Sequence, residues 1–508
     1  MRLATSIKKY PFLLISAVYF AFRLFNLTKL PIFNDEAIYL DWAWRETNEP
    51  GMLFYSLYDA KQPLLMWFFG IAMHLLPDPF FAGRLVSVLL GWVGMFGVFR
   101  LGKTYFNQKI GIFASLLYIV IPIFSFYDRQ ALMEAAIAAI GVWTLWFALK
   151  FWKYGYTKDA VFAGILLGIG FFIKSSALVF LAAFFLISFW LWLRKRSFRL
   201  RSLFYSTFSF LCMITLLLLQ PKFWETLSSN NRYGHSISEL LHFPIGTWAS
   251  NFLGNSEIFL LFVTPVVVIF AGVGVYAIIK TRKRASLSLL TWVIGGIVLQ
   301  TLLVKGTSQR YLVAYLPLVC LLAAMGFMAI EHRFQKALGF LALVVLFAIP
   351  IVLTLIQLVS PPLYFSLFDP FSKYSEGYSY VRGLTSGYGV DEAVAYIEKL
   401  GGDKKIFVGQ DMYSGTPESA IKIHFQRHPR IVPGYFTRQL LGDSIKGVKC
   451  LKTEIPAYFV SKGDNTAGMG AYLEHLVYLR NPHNSNVIGI WKLKEECQGK
   501  TLPLQLIK

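Results

Sequence analysis

The sequence predicts a polytopic α-helical membrane protein with a small α/β domain at its C-terminal end. Of its 508 residues, 56% are hydrophobic and 15% are charged, and the mean hydropathy is +0.53. Soluble domains contain about 25% charged residues. The apolar residues form repeated runs of roughly 17–22 residues, which is the length that crosses the hydrocarbon core of a bilayer. These runs stop near residue 360, where the pattern changes to that of a soluble domain.

Eleven apolar segments are predicted to cross the membrane. They are residues 10–27, 81–101, 109–125, 131–150, 159–174, 177–193, 202–220, 257–279, 286–304, 311–330 and 336–358. The first of them lacks a small-residue cleavage site, which indicates a retained helix rather than a signal peptide. A further apolar run, residues 62–77, is short and has a proline near each end, as is typical of a juxtamembrane helix on the outer surface.

The distribution of Lys and Arg predicts the orientation. The formal net charge of +21 is found largely in short clusters between apolar segments, such as residues 194–201 and 280–284. If residues 62–77 do not cross, six such clusters share one side, which the positive-inside rule assigns to the cytoplasm. We therefore expect a plasma-membrane protein with a cytoplasmic N-terminus and an extracytoplasmic C-terminus. The basic charge indicates this topology rather than a nucleic-acid partner.

The C-terminal part is predicted to form a separate domain. Residues 1–360 make up the membrane domain, residues 361–390 form a linker rich in Pro, Tyr, Ser and Gly, and residues 391–508 form the α/β domain. An amphipathic segment, DEAVAYIEKLGG, precedes strand-like stretches such as KKIFVGQ, AYFVS and VIGIWKL. Cys450 and Cys497 lie in this domain, either bridged in an oxidising compartment or both reduced.

Two adjacent acids follow the first crossing, in FNDEAIYLDW (33–42). Asp35 and Glu36 have a structural explanation, because Asn34 can cap a helix and acids favour its first turn. The alternative is catalysis. Tyr39 lies four residues after Asp35 and shares its helix face, whereas Glu36 points about a third of a turn away.

A third acid, Glu134, lies in the apolar run ALMEAAIAAIGVW. An ionisable residue there is energetically costly and indicates a functional site. The alternative is a buried ion pair with Arg129 or Arg84.

Several basic residues are predicted on the same outer face, notably Lys61, Lys174 and Arg310. Each alone is compatible with a side chain that extends to the lipid headgroups. Several cations beside a carboxylate instead favour a phosphate-bearing lipid held next to a general base.

The order of short motifs resembles that of the GT-C glycosyltransferases. These motifs are F-N-D-E-A-x-Y, K-x-P-L, A-G-R-L-x-S-x-L-x-G, an acid after R-Q-A-L-M, and R-Y-L-x-x-Y-L-P. The similarity covers residues 10–330 and is greatest to the protein O-mannosyltransferases, the bacterial aminoarabinose transferases and the RgtA/B/C/D-like enzymes. It implies a GT-C-like fold whose eleven crossings are accompanied by outer-face juxtamembrane helices.

The resemblance also implies a reaction and roles for residues. A sugar would pass from a polyprenyl-phosphate donor to a hydroxyl acceptor on the outer face. Asp35 would be the general base, Lys61 would contact the lipid phosphate, and Glu134 would be the second acid of the outer cavity. The family's K-P-P is K-Q-P here, and Ala60 and Ile38 replace polar residues of some relatives. Sugar specificity and a nearby metal site therefore do not carry over.

General chemistry agrees with this implied mechanism. A carboxylate base deprotonates the acceptor, cations neutralise the leaving phosphate, and a single displacement inverts the anomeric carbon. The metal–nucleotide motif D-x-D is absent from the sequence, as expected for a donor without a nucleotide, so we expect no metal or other cofactor.

The predicted site comprises nine residues. The catalytic candidates are Asp35, Glu36 and Glu134, and the substrate-binding candidates are Tyr39, Lys61, Arg84, Arg129, Lys174 and Arg310. The loop 221–256 is either a lid or a static interfacial loop. The alternatives to a transferase are a transporter or flippase and a non-catalytic scaffold. A transporter is expected to have charges near the bilayer midplane and two related halves, whereas here the charges lie at the outer ends and no repeat is visible.

Overall fold

A computed structural model describes most of the chain. The described residues are 11–195, 200–229, 233–282, 284–331, 336–410, 416–435, 450–452, 455–466, 470–483, 487–494 and 501–503.

The described residues are mainly helical. The helices are α1 Pro11–Leu24, α2 Asn34–Asn48, α3 Leu64–Leu75, α4 Pro79–Tyr105, α5 Gln108–Val120, α6 Pro122–Tyr127, α7 Glu134–Tyr154, α8 Thr157–Ile173, α9 Leu178–Lys195, α10 Arg201–Leu218, α11 Pro221–Ser229, α12 Ile237–Leu241, α13 Ile245–Phe262, α14 Pro265–Thr281, α15 Arg284–Leu303, α16 Gln309–Leu312, α17 Leu316–Glu331, α18 Lys336–Val359, α19 Pro361–Ser366, α20 Val390–Gly401 and α21 Glu418–Phe425. Short 3₁₀ helices span Tyr55–Asp59, Ser175–Ala177 and Gly470–Tyr472, and a π-helical turn spans Tyr378–Arg382.

The helical part is that of a multi-pass membrane protein, which confirms the predicted fold class. Among the described residues, six helices are long and apolar enough to cross a membrane, and the bent pair α13–α14 makes a seventh candidate. Shorter apolar helices, α1, α5 and α17, coincide with further predicted crossings. The count of eleven crossings stays a prediction.

One predicted crossing is wrong as a single helix. Residues 257–279 are divided between α13 and α14, whose axes differ by 111°. The break is at Thr264, which has a φ of +78°, and Pro265 begins the next helix. Because proline lacks an N–H and restricts the residue before it, Pro265 favours a break of the helix at this point. The predicted loop 221–256 is likewise mostly helical, since it contains α11, α12 and the start of α13.

Helix α3 lies on the same side of the molecule as the C-terminal domain. Its 12 residues extend about 18 Å, less than the thickness of about 30 Å of a bilayer core. Arg427 of the C-terminal domain donates to the carbonyl oxygen of Leu76 at 3.0 Å and also to that of Met73. These contacts agree with a helix that lies along the outer surface.

A buried ion pair joins α1 to the end of α6. Arg23 Nε of α1 donates to Asp128 Oδ2 at 3.0 Å, and both side chains are at most 1% exposed. The hydroxyls of Tyr19 and Tyr118 donate to the same carboxylate at 3.1 Å. Gly91 of α4 makes room for the cluster, since a Cβ there would lie 2.5 Å from Asp128 Cγ. Removing either charge would leave the other buried and unpaired, which is strongly destabilising.

Residues 361–390, the predicted linker, pack against the start of α2. The backbone N–H of Asn34 donates to Thr385 O at 3.1 Å. The ring of Phe33 stacks on Tyr380 with centroids 4.1 Å apart. This segment therefore covers the helix end that carries the paired acids, while the predicted domain boundaries themselves stay a prediction.

The C-terminal domain contains a mixed sheet. Its strands are β1 Ile406–Gln410, β2 Ile431–Tyr435, β3 Cys450–Lys452, β4 Ala457–Lys462, β5 Leu473–Arg480, β6 Val487–Leu493 and β7 Thr501–Pro503. Five of them form a sheet in the order β2-β1-β4-β6-β5, and β3 pairs with β7. The pairs β1–β2 and β1–β4 are parallel, and the pairs with β6 are antiparallel. A disulfide between Cys450 and Cys497 stays a prediction, because Cys497 lies outside the described residues.

Candidate active site

A cavity of about 640 Å³ lies where α2, α7, the end of α8 and the start of α16 meet. Its volume is within the range of about 300–1,000 Å³ typical of ligand pockets. Six of the nine predicted site residues line it. They are Asp35, Tyr39, Lys61, Glu134, Lys174 and Arg310. These residues are distant in sequence, so the fold assembles this polar group.

Arg310 joins two carboxylates across the cavity. Its Nη1 lies 2.5 Å from Asp35 Oδ2, and its Nε donates to Glu134 Oε1 at 3.0 Å. Arg310 belongs to the short helix α16, which Ser308 caps by accepting from the Arg310 N–H. The guanidinium fork suits two acceptors at once, so Arg310 fixes the positions of both acids.

Lys174 is the second cation on Glu134. Its Nζ donates to Glu134 Oε1 at 2.9 Å. Lys174 follows α8 in an extended conformation, with φ −156° and ψ 132°, before the chain turns into the next helix. This break directs a lysine into the cavity from a region that is otherwise apolar.

The two acids differ in accessibility. The Asp35 side chain is 33% exposed, whereas that of Glu134 is 0% exposed. The described part of the chain shows no hydrogen bond to Asp35 Oδ1, and its Oδ2 holds Arg310. Asp35 therefore keeps one oxygen for a ligand, while Glu134 serves to hold Lys174 and Arg310.

Tyr39 and Lys61 are the other two predicted site residues that line the cavity. Tyr39 is buried on the face of α2 that it shares with Asp35, and burial raises the pKa of its hydroxyl above the ordinary value, so that it stays neutral. The Lys61 ammonium lies 4.8 Å from the centre of the Tyr233 ring. It follows a 3₁₀ turn whose Ser56 N–H donates to Glu46 Oε1 of α2 at 2.7 Å, which ties Lys61 to the helix that carries Asp35.

Glu36 and Arg84 lie outside the cavity, at odds with the prediction of a catalytic and a substrate-binding role. Arg84 Nη2 and Nε donate to the two oxygens of Glu36 at 2.7 and 2.9 Å, and both side chains are fully buried. The Glu36 carboxylate also accepts from the backbone N–H groups of Phe33 and Ala131 at 3.0 and 2.7 Å. With both oxygens engaged, Glu36 caps α2 and fastens it to α4.

Arg129 also lies outside the cavity, contrary to the predicted substrate contact. Its Nη2 donates to the carbonyl oxygens of Phe25 and Asn26 at 2.8 and 2.6 Å. These carbonyls follow α1, so Arg129 fixes the chain as it leaves that helix. The alternative partners of Glu134, Arg129 and Arg84, are therefore engaged elsewhere.

Solved structures share this arrangement of helices and C-terminal domain. ArnT of Cupriavidus metallidurans bound to undecaprenyl phosphate superposes with a TM-score of 0.59 at 15% identity, over 94% of this chain and 97% of that one. Its apo form gives a TM-score of 0.56 at 16% identity, with the same coverage. The chain has the GT-C fold. This confirms the resemblance that the sequence motifs indicate.

Two further comparisons gave partial matches. Residues 60–219 match the family described as dolichyl-phosphate-mannose-protein mannosyltransferase. The oligosaccharyltransferase of Archaeoglobus fulgidus gives a TM-score of 0.47 at 13% identity, over 83% of this chain and 61% of that one. No curated protein matches the sequence significantly.

Several polar residues in or near the cavity were not predicted as site residues. Tyr233, His235 and Gln300 line it, and Glu376 accepts a hydrogen bond at 3.3 Å from Tyr127. Burial raises the pKa of Glu376 to about 7, and Arg310 partly opposes this shift. Glu376 lies in the predicted linker, and Tyr233 and His235 lie in the predicted loop 221–256, where no periodic pattern distinguishes a site residue from a solvent-exposed one. Gln300 lies within the predicted crossing 286–304.

No cluster of three or more His, Cys, Asp or Glu residues able to hold a metal occurs in the described part of the chain. Asp35 and Glu134 are each engaged by Arg310. The expected independence from metals stays a prediction.

Proposed function

We propose that this GT-C protein is a glycosyltransferase that moves a sugar from a polyprenyl-phosphate donor to a hydroxyl acceptor at the outer face of the plasma membrane. The observation that carries the proposal is the accessible carboxylate of Asp35, which lies in one cavity with Lys61, Lys174 and Arg310.

The cavity suits a lipid with a single phosphate. Among the described lining residues, three cations, Lys61, Lys174 and Arg310, face two carboxylates, Asp35 and Glu134, which gives a net charge of +1. A phosphodiester donor carries one negative charge. Apolar side chains form another part of the wall and suit a prenyl chain, namely Ile137, Leu178, Val179, Leu303, Val304 and Ala314. The similar fold of ArnT bound to undecaprenyl phosphate supports the same class of lipid.

Asp35 is the proposed base. Its Oδ1 takes the proton of the acceptor hydroxyl, and the acceptor oxygen forms a bond to the anomeric carbon. The bond from that carbon to the phosphate oxygen breaks, and the electron pair stays on the phosphate. Lys61, Arg310 and Lys174 stabilise the negative charge that grows there. Attack from the face opposite the leaving phosphate inverts the anomeric carbon.

The proposed reaction needs no metal. The donor carries no nucleotide diphosphate, and protein cations supply the positive charge that such a donor receives from a metal ion. We expect equal transfer rates with and without a chelator of divalent cations. A loss of transfer that Mg²⁺, Mn²⁺ or Zn²⁺ restores would contradict this part of the proposal.

The proposed orientation places the cavity outside the cell. A cysteine at position 105, in a background without native cysteines, should react with a membrane-impermeant reagent only after permeabilisation. One at position 399, in the C-terminal domain, should react in intact cells. The reverse result would contradict an outer-face reaction.

The function is tested with purified protein in nanodiscs. It is supplied with a mixed pool of polyprenyl-phosphate sugars and an outer-envelope extract as the source of acceptor. With the wild-type protein, mass spectrometry should show that one sugar-lipid disappears and polyprenyl phosphate appears. With Asp35→Asn, the pool of sugar-lipids should stay unchanged. Failure of every sugar-lipid to be consumed or bound by the wild-type protein would overturn the proposal.

A further inference from the structure

We propose that His235, assisted by Gln300, is a specificity residue that binds the phosphate of the lipid donor. This rests on the proposed function and deepens it, because it assigns a phosphate contact to the segment between α11 and α12. Both residues line the cavity, and neither belongs to the group of ion pairs around Arg310.

The backbone around His235 is held in an extended conformation. Gly234 forms an antiparallel bridge with Val304, at the end of α15. The His235 N–H donates to Leu303 O at 2.8 Å, and the Lys305 N–H donates to Tyr233 O at 3.0 Å. This bridge fixes the segment against a membrane helix, so its side chains have defined positions in the cavity.

The bridge places His235 on the same side as Lys61. Side chains two residues apart in an extended segment point to the same face, so Tyr233 and His235 are neighbours on that face. The Lys61 ammonium lies 4.8 Å from the centre of the Tyr233 ring. We therefore expect the imidazole of His235 on the same wall of the cavity as this cation.

The polar atoms of His235 and Gln300 have no hydrogen-bond partner in the described part of the chain. These atoms are Nδ1 and Nε2 of His235 and Nε2 of Gln300. The His235 side chain is 6% exposed and Gln300 is 5% exposed. Burying such groups without a partner costs free energy. Polar atoms without a hydrogen-bond partner on the wall of a cavity favour the binding of a polar ligand there.

The carboxylate of Glu239 does not make a hydrogen bond to His235. Glu239 Oε2 lies 3.6 Å from His235 Nδ1, beyond hydrogen-bond distance. That carboxylate already accepts from the Ser236 N–H at 2.7 Å and from Lys305 Nζ at 2.8 Å. The imidazole is thus available to a ligand.

The groups that converge here favour a phosphate. The Lys61 ammonium and the Gln300 Nε2 amide are donors only, and a neutral imidazole always has one N–H to donate. The non-bridging oxygens of a phosphodiester are acceptors, and hydrogen bonds to charged oxygens are stronger than those to neutral ones.

The test compares undecaprenyl phosphate with undecaprenol, which has the same chain but no phosphate, as ligands of the full-length protein in nanodiscs. His235→Ala should weaken binding of the phosphate lipid about tenfold, the loss of one hydrogen bond to a charged group, and should not change binding of undecaprenol. Gln300→Ala should act in the same direction. His235→Gln, which keeps a donor, should restore part of the affinity.

His242→Ala is the matched control, because His242 follows α12 directly, is exposed, and has its Nδ1 2.7 Å from Ser238 O. It should bind both lipids as the wild-type protein does. If His235→Ala does not fold, His235→Leu fills the space without a polar group and should show the same selective loss. Wild-type affinity in the folded His235 variants, or an equal loss for both lipids, would overturn the inference. A wild-type protein that binds neither lipid would contradict the proposed function instead.

Discussion

Arg310 links Asp35 to Glu134, with nitrogen–oxygen distances of 2.5 and 3.0 Å. The guanidinium thus shares its charge between an accessible acid and a fully buried one. A donor phosphate that enters the cavity would compete with Asp35 for Arg310. We infer that donor binding loosens Asp35 from Arg310 and frees its carboxylate to face the acceptor hydroxyl.

Replacing Asp35 by Asn should reduce transfer about 10²–10⁴-fold, since the variant keeps the size of the side chain but cannot accept a proton. The expected measurement is the rate of polyprenyl phosphate release at saturating donor. Expression and melting temperature should change little, because Asp35 is partly exposed. Near-full turnover in Asp35→Asn would show that its contact with Arg310 is only structural.

Lys61→Ala should raise the donor concentration needed for half-maximal rate and lower the maximal rate, because the leaving phosphate gains charge in the transition state. The control is Lys399→Ala, which removes an exposed lysine from α20 in the C-terminal domain. Initial rates against donor concentration separate the two effects. Identical curves for Lys61→Ala and Lys399→Ala would remove Lys61 from the phosphate site.

The sequence predicted the helical framework because long apolar runs and flanking charges depend on local composition alone. The hydropathy pattern did not predict the break within residues 257–279, where Pro265 interrupts a run of apolar residues. It also treated residues 361–390 as a linker. Their packing against Phe33 and Asn34 depends on long-range contacts that a local pattern does not contain.

The site was predicted in part for the same reason. Motif order singled out Asp35, Lys61, Glu134 and Arg310, which line the cavity, and favoured Asp35 as the base, but Glu36 was also among the catalytic candidates. The placement of Glu36 follows from Arg84, which is 48 residues away. Likewise, the bridge to α15 places His235 at the cavity, and this long-range contact is not contained in a local sequence pattern.

The pair Glu36–Arg84 should control stability rather than chemistry. Glu36→Gln leaves a buried guanidinium without its counter-charge, which should cost about 3–5 kcal/mol of folding free energy. The neighbouring Asp35→Asn is the matched comparison. We expect Glu36→Gln to lower the melting temperature and the yield of folded protein, but to keep turnover per folded molecule. A stable Glu36→Gln protein without turnover would show instead that Glu36 takes part in the reaction.

Glu376 should make stability depend on pH. Burial raises its pKa from 4.5 to about 7 in the folded protein, so the folded state binds more protons than the unfolded state between these values. Stability should therefore fall as pH rises through this window and level off above about pH 7. Glu376→Gln cannot ionise and should lack this contribution. Melting temperatures at pH 5 and pH 8 should differ more for the wild-type protein than for the variant, and equal differences would contradict the shift.

The C-terminal domain should depend on one buried ion pair for its position on α2. Lys422 Nζ of α21 lies 2.8 Å from Asp41 Oδ1, and these side chains are 6% and 4% exposed. Lys422→Met removes this partner of Asp41, whose other oxygen lies 3.2 Å from Arg45 Nε. We expect faster proteolysis of the C-terminal domain and slower transfer, since α2 also carries Asp35. The double variant Lys422→Met/Asp41→Leu removes both charges and should recover much of the resistance to protease. If the single and double variants were cleaved at the same increased rate, packing rather than charge pairing would hold the domain.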